Sequence, residues 1–202
     1  MSNCGTNRVL LALLVALLVA VGHRGVGQIL SARSLPLDLD GRPLDPLRPP
    51  RAQVQVFLFV RTDCPISNRY APEVRRLYAE FSSKGVVFWL VYPDPHETPE
   101  SIRRHVQEYH HSSRPLRDPQ HTLVKMTGVQ VTPEVVVFVP GRTGQKMVYR
   151  GRIDDWYVDF GKARPAPTTH DLEQVLQEMI VAGRQVTPET THAIGCFIAD
   201  LK

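Results

Sequence analysis

Three apolar runs of strand length divide the chain: Val54-Gln55-Val56-Phe57-Leu58-Phe59-Val60, Val86-Val87-Phe88-Trp89-Leu90-Val91-Tyr92 and Val135-Val136-Val137-Phe138-Val139. They are rich in β-branched and aromatic residues, and each reads as a strand buried on both faces. Ile66, Tyr70, Val74, Leu77 and Phe81 then recur at spacings of three and four, which predicts an amphipathic helix from 64 to about 82. Pro72 lies inside it and predicts a kink, because proline removes a backbone donor and crowds the preceding turn. Gly85 ends the unit.

Further along, Thr98-Pro99 is an N-cap followed by proline at the first helical position. The helix it opens carries Ile102, Val106 and Tyr109 on one face. Asp118-Pro119 repeats that start signal, with Gly128 as a stop. Residues 140–144 are a turn, and 145–150 pair back as an edge strand. A last stripe, Leu172, Val175, Leu176, Met179 and Ile180, predicts a helix from Thr169 to Ala182, stopped by Gly183. Strand–helix–strand crossovers imply a parallel central pair, and the hairpin at 135–150 adds antiparallel strands. The expected fold class is a mixed α/β sheet with helices on both faces.

Upstream, Leu35 to Leu44 alternates around Asp40-Gly41, the signal of a short hairpin. It lies within an Arg-, Gly- and Pro-rich stretch at 23–50. Before that, Arg8 precedes an unbroken apolar run of 13 residues, Val9 to Val21. A membrane span needs about 20 residues, so the run has the length of a signal-peptide core. Cleavage after Gly22 or near Gly27 and retention as an N-terminal membrane anchor both remain open. In either case the expected location is exported, periplasmic or membrane-anchored, facing an oxidising compartment. The expected division is 1–22 leader or anchor, 23–50 linker and hairpin, 51–183 globular domain, and 184–202 a C-terminal tail.

The 202 residues are 43% apolar, enough for one ordinary core. The net charge of +4 is spread out, and no basic run or aromatic-interleaved stripe points to nucleic acid. His110 and His111 are adjacent and diverge on a helix, and no His/Cys pair has structural-zinc spacing, so no metal is expected. Asp154-Asp155 with Arg150 and Arg152 reads as a solvated loop.

The chemistry centres on Cys64. It sits where a strand ends and a helix begins, where unpaired N–H groups and the helix dipole favour a thiolate. Cys4 precedes the apolar run and is lost on cleavage, which leaves Cys64 and Cys196. About 13 residues separate Cys196 from Gly183, and at roughly 3.3 Å per extended residue the tail is long enough to fold back over the active helix. Arg61 and Arg69 flank Cys64 as candidate thiolate supports, and Ser67 lies one turn on.

At these residues the chain resembles the thioredoxin superfamily, in the redoxin branch that includes TlpA-like proteins and peroxiredoxins. Cys64 and Pro72 have the family's spacing of eight between the first active cysteine and the kinking proline. Thr132-Pro133, just ahead of the strand at 135–139, matches its cis-proline, and Asp38 to Pro43 looks like the branch's N-terminal extension. The resemblance covers roughly 34–183 and implies a thioredoxin-like fold without organic cofactor. It also implies a groove shaped by Pro133, with the Thr132 backbone pairing to substrate. Two departures stand out. Ser67 replaces the second cysteine of Cys-x-x-Cys, and Phe57 and Arg61 stand where the peroxiredoxin signature has proline and Thr/Ser. Copper-binding relatives use Cys-x-x-x-Cys, whereas residue 68 is Asn.

Three functions follow as expectations. The first is an exported thiol–disulfide oxidoreductase with Cys64 as nucleophile and Cys196 as resolving thiol, its partners exported thiol proteins or a membrane reductant. The second is an atypical thiol peroxidase whose Cys64 sulfenic acid condenses with Cys196. The third is a non-catalytic binding module in which Cys64–Cys196 is a structural staple; closing so long a loop contributes about 4–5 kcal/mol in the chain-entropy model.

Overall fold

The computed structural model describes residues 35–48, 54–142 and 144–199. The expected leader or anchor at 1–22 and most of the linker that follows lie outside the described residues. From Pro36 onward the chain is one compact unit.

Its centre is a six-stranded mixed sheet whose strands lie in the order Arg114–Arg117 (β3), Val87–Tyr92 (β2), Gln55–Phe59 (β1), Glu134–Gly141 (β5), Gly144–Gly151 (β6) and Glu189–Thr190 (β9). Val131–Thr132 (β4) with Cys196–Phe197 (β10), and Tyr157–Asp159 (β7) with Lys162–Ala163 (β8), form two small pairs. Strand β1 (Gln55–Phe59) pairs in parallel with β2 (Val87–Tyr92), and β2 pairs in parallel with β3 (Arg114–Arg117). On the other side β1 pairs antiparallel with β5 (Glu134–Gly141), which forms a hairpin with β6 (Gly144–Gly151). The three apolar runs are therefore the three adjacent central strands, which is why they read as continuous rather than alternating. Their side chains split strictly by parity. Val56, Leu58, Phe88, Leu90, Val135 and Val137 enter one core; Phe57, Phe59, Trp89, Val91, Val136 and Phe138 enter the other.

Helices cover both faces. The first core is closed by α1 (Pro65–Arg69), α2 (Ala71–Phe81), α3 (Pro99–Glu108) and α5 (Asp171–Leu176), through Ile66, Val74, Leu77, Phe81, Ile102, Leu172 and Leu176. The second is closed by Leu123 and Val124 of α4 (Thr122–Thr127) together with Val129 and Ile198. The kink expected at Pro72 is a break at Tyr70, which ends α1 and precedes α2. Thr98 caps α3 as its sequence suggested, its hydroxyl accepting the Ser101 N–H at 3.1 Å.

Several expectations need correction. The start signal at Asp118 acts at a distance: α4 begins at Thr122, and the Asp118 carboxylate accepts N–H bonds from Thr122, Leu123 and Val124. Residues 145–150 do not form a bare edge, because Glu189–Thr190 (β9) pairs with Tyr149 and Arg150. The last helix gives way after Leu176 to a wider π-type turn at Gln177–Val181. The hairpin near residue 40 is a tight turn with Gly41 at φ +80°. A single Leu37–Pro43 bridge closes it, and a Leu37–Arg117 bridge ties it to β3. No described helix is long and apolar enough to cross a membrane.

Asp154 and Asp155 are not solvated; both are about 5% exposed or less. Asp154 accepts the Tyr70 hydroxyl at 2.5 Å and the Trp156 N–H at 2.9 Å. Asp155 accepts the Thr168 and Thr169 N–H groups and the Thr168 hydroxyl, and pairs with Arg164. These bonds satisfy carboxylates that burial would otherwise penalise heavily.

Candidate active site

Cys64 follows β1 and is the N-cap of α1, with extended backbone angles (φ −82°, ψ 110°). The apolar run brings it to the end of a central strand, and Pro65 at the first helical position starts the helix at once. The thiol therefore takes the place of a capping side chain: the Ser67 N–H donates to its sulfur at 3.5 Å. Cys64 is only 1% exposed. Its own S–H points to the Thr132 carbonyl, with heavy atoms 3.1 Å apart. The Thr132–Pro133 peptide is cis.

The C-terminal tail supplies the rest. Strand β10 (Cys196–Phe197) pairs antiparallel with β4 (Val131–Thr132), with Cys196 opposite Thr132 and Phe197 opposite Val131. Cys196 is half-buried and packs against the core that contains Cys64; both are free thiols. Gly195, the residue before it, lies on the Thr132 carbonyl, where any Cβ would collide with Thr132 and Pro133 backbone atoms. The tail is held on both sides of Cys196. Ahead of it, the Thr191 hydroxyl donates to the Tyr149 hydroxyl oxygen at 2.7 Å, the Tyr149 proton going to the Arg152 carbonyl, and the Thr191 N–H donates to the Arg150 carbonyl. Beyond it, Ile198 is buried and donates its N–H to the Gln130 carbonyl.

The environment of the two sulfurs differs in sign. Burial alone pushes the Cys64 thiol up, but hydrogen bonds from Cys196, Ser67 and Thr132 outweigh it and leave the thiol below its ordinary 9.0. The Ser67 hydroxyl is buried with no hydrogen-bond partner among the described residues, and beside Cys64 it lowers the thiol's pKa. Cys196 is pushed up to about 12, by burial and then by its role as donor to Cys64. One sulfur is thus favoured as thiolate and the other as thiol.

The structure places Ser67, Thr132, Pro133 and Cys196 around Cys64. Arg61 and Arg69 are engaged elsewhere. Arg61 pairs with Asp63 at 2.9 Å and Asp94 at 3.2 Å, and the Arg69 guanidinium lies over the Trp156 ring at 4.7 Å.

Other residues shape the site without having stood out in the sequence. Glu97 is buried beside the strand end, accepts the Thr62 N–H at 2.6 Å, and is held above its usual carboxylate range by burial. Glu134 accepts the Gln130 and Val131 N–H groups and so braces the loop that carries the cis peptide. Asn68 on α1 donates to the Thr62 carbonyl and accepts from His105 Nε2 at 2.8 Å. His105 Nδ1 in turn accepts the Tyr92 hydroxyl at 2.9 Å, so this ring is neutral with its proton on Nε2. Glu97 lies 35 residues from Thr62 and His105 lies 37 from Asn68, so no local spacing signals them. Glu134 and Asn68 are close in sequence to Thr132-Pro133 and Cys64, yet their roles show only once the turns around them are folded.

Among the described residues one cluster, Glu73, His170 and Glu173, gathers potential ligand atoms within 4.8 Å of one another. Arg76 already forks between its carboxylates, at 2.7 Å from Glu73 and 2.5 Å from Glu173, which makes it an ion-pair hub.

On the outer flank of the tail lies a groove of about 820 Å³, lined by Val131, Glu134, Phe160, His192, Gly195 and Phe197. Phe160 and Phe197 are exposed there.

Among solved structures, the chain is similar to an uncharacterized conserved protein from Geobacillus kaustophilus (23% identity, TM-score 0.65), covering 82% of this chain and 88% of that one. It is also similar to an uncharacterized thioredoxin-like protein from Porphyromonas gingivalis (17% identity, TM-score 0.54; 77% and 95% covered). A thiol:disulfide interchange protein from Bacteroides sp. matches at 13% identity and TM-score 0.55, over 75% and 88% of the two chains. These likenesses show the thioredoxin-like fold. Among curated proteins none matches. The model of the AhpC/TSA family matches residues 29–151, a stretch that holds Cys64, the cis peptide and five of the six strands of the central sheet, and the chain belongs to that family.

Proposed function

We propose that this chain is an exported thiol–disulfide oxidoreductase whose redox pair is Cys64 and Cys196. The observation that carries the reading is the register of β10 on β4: it sets Cys196 opposite Thr132, whose carbonyl receives the Cys64 thiol. The chemistry is a two-electron exchange. The Cys64 and Cys196 thiols give up two protons and two electrons as their S–S bond forms, and an outside disulfide takes them up as two thiols; the reverse reaction reduces the pair. Cys64, held toward its thiolate, is the nucleophile within the pair. The missing second cysteine at Ser67 is replaced by a thiol from the far end of the chain. Export is supported by the apolar run at 9–21 behind Arg8.

The test is a redox titration of the purified protein, with mass mapping of the bond. A Cys64–Cys196 disulfide with a midpoint between about −120 and −270 mV supports the reading. A midpoint below about −300 mV marks a structural staple and overturns it, as does the absence of the bond. Consumption of hydrogen peroxide at a rate unmatched by disulfide exchange would favour a peroxidase instead.

A further inference from the structure

We infer that outside thiols meet this protein at Cys196 rather than at Cys64, so that the mixed disulfide with a partner forms on the tail and the buried cysteine only opens and closes the internal bond. The inference rests on the redox pairing proposed above and specifies which of its two sulfurs faces the partner.

Access is the first argument. Cys64 is 1% exposed, under Thr132 and the tail. Cys196 is only half-buried; its neighbours Gly195 and Phe197 line the outer groove while its own side chain packs on the core side, beside Cys64. The tail is also not free to swing away. It is paired at Thr190, bonded at Thr191, paired again at 196–197 and buried at Ile198. A partner arriving at the reduced or oxidised protein therefore finds the tail sulfur in its path and the helix-cap sulfur behind it.

Leaving-group chemistry is the second argument. A thiolate RS⁻ attacking the Cys64–Cys196 bond forms a bond to one sulfur and expels the other with the electron pair. Attack on Cys196 forms Cys196–S–S–R and expels Cys64 as thiolate at the N-terminus of α1, where the Ser67 N–H already donates to its sulfur at 3.5 Å. Attack on Cys64 would instead expel Cys196, a thiol that its surroundings hold protonated. The thiol of lower pKa leaves faster, so both accessibility and leaving ability select Cys196. A second RS⁻ then attacks the partner sulfur, releases R–S–S–R and leaves Cys196 to take up a proton. Two outside thiols have become one disulfide and the protein pair has been reduced. Run backwards, the Cys64 thiolate attacks the mixed disulfide on Cys196 and expels RS⁻.

The polypeptide groove has the same logic. The backbone edge of Val131–Thr132, which the family resemblance assigns to a substrate strand, is filled by the chain's own 196–197. The tail occupies it with glycine at 195 because nothing larger fits against the Thr132 carbonyl. The outside partner is then a thiol or disulfide that reaches the half-buried Cys196 sulfur, not a strand laid on β4.

The full chain, oxidised to the Cys64–Cys196 form, is mixed with reduced glutathione. It is quenched in acid within the first turnover, alkylated, and mapped by mass spectrometry. The expected product carries glutathione on Cys196 and alkyl on Cys64, in excess over the opposite arrangement by on the order of tenfold. Glutathione on Cys64 with alkyl on Cys196, starting from an intact internal bond, overturns this inference and leaves the redox pair standing. A starting protein without that bond overturns the pair and the inference together.

Discussion

Gly195 lies against the carbonyl of Thr132 so closely that a Cβ would overlap its oxygen and carbon, and the atoms in the way are backbone rather than a side-chain end that can turn aside. Gly195→Ala must therefore lift the tail. Overpacking costs about 1–3 kcal/mol, so the detached population rises about five- to 150-fold. The expected outcome is faster alkylation of Cys64 by iodoacetamide by a similar factor, with the unfolding midpoint of the central sheet little changed. An unchanged alkylation rate would show that the tail does not gate Cys64.

Ser67 has the second cysteine's place in the helix but a different task. Its hydroxyl has no hydrogen-bond partner among the described residues, and after Cys196 it lowers the Cys64 pKa. Ser67→Ala is expected to raise that pKa and to slow alkylation at neutral pH by roughly tenfold, since bonds to charged groups contribute about 1.5–3 kcal/mol. Cys196→Ala raises the pKa in the same direction but also uncovers the thiol. The ultraviolet absorbance of the thiolate across a pH titration separates the two effects.

Tyr70 ends α1 and donates to the buried Asp154, whose carboxyl is held above its usual range by burial despite that bond. Tyr70→Phe removes the donor and leaves the acceptor in place, at a cost of about 1–3 kcal/mol in denaturant unfolding. Adding Asp154→Asn should restore part of the loss, and a double-mutant cycle measures the coupling. Simple additivity of the two losses would contradict a direct pairing.

The His105 and His111 rings pack at a tilt with centroids 5.6 Å apart, and burial lowers both to about 4. A base whose folded pKa is lowered stays neutral in the fold while the unfolded chain takes up a proton. Its contribution is therefore intact above pH 6.5 and is lost as pH falls from there toward 4. Buried carboxyls with raised values (Glu97, Asp118, Glu134 and Asp154) push stability the other way in part of that window. The comparison is thus wild type against His111→Phe: the difference in unfolding free energy should shrink in favour of the variant as pH drops from about 6.5 to about 4. A difference that does not vary with pH would place His111 in contact with solvent.

Asp155 gives a separate acid limb. Its hydrogen bonds from Thr168 and Thr169 and the Arg164 guanidinium outweigh burial and hold the carboxyl down at about 2. A lowered carboxyl stabilises the fold above its unfolded value near 3.8 and loses that contribution as pH falls toward 2. Asp155→Asn should remove stability at neutral pH and flatten the profile below pH 3.8, as read by thermal unfolding against pH.

The sequence by itself determined the three central strands, because each is buried on both faces and so carries an unbroken apolar run. It also determined the helix that begins at Cys64 and breaks near Pro72, the capped start at Thr98, and the position of Thr132-Pro133. In each of these the physical cause lies within a few residues of its effect. The tertiary structure alone decided the rest. Strand β3 is Arg-Pro-Leu-Arg with a single fully buried side chain, and β4, β9 and β10 are two residues each; such pieces have no periodicity to read and exist only because a neighbour offers backbone partners. Asp154 and Asp155 looked like a charged loop because hydrogen bonds from Tyr70 and Thr168, far away or in an irregular segment, are what make their burial affordable. The pairing of Cys196 with the active site belongs to the same class. Chain length permits it, but its register is set by Thr132, by the space that only Gly195 can fit, and by anchors at Thr191 and Ile198. Contacts between residues 132 and 196 leave no pattern in either neighbourhood, since the free energy that fixes them is gained only once the sheet has brought both to the same edge.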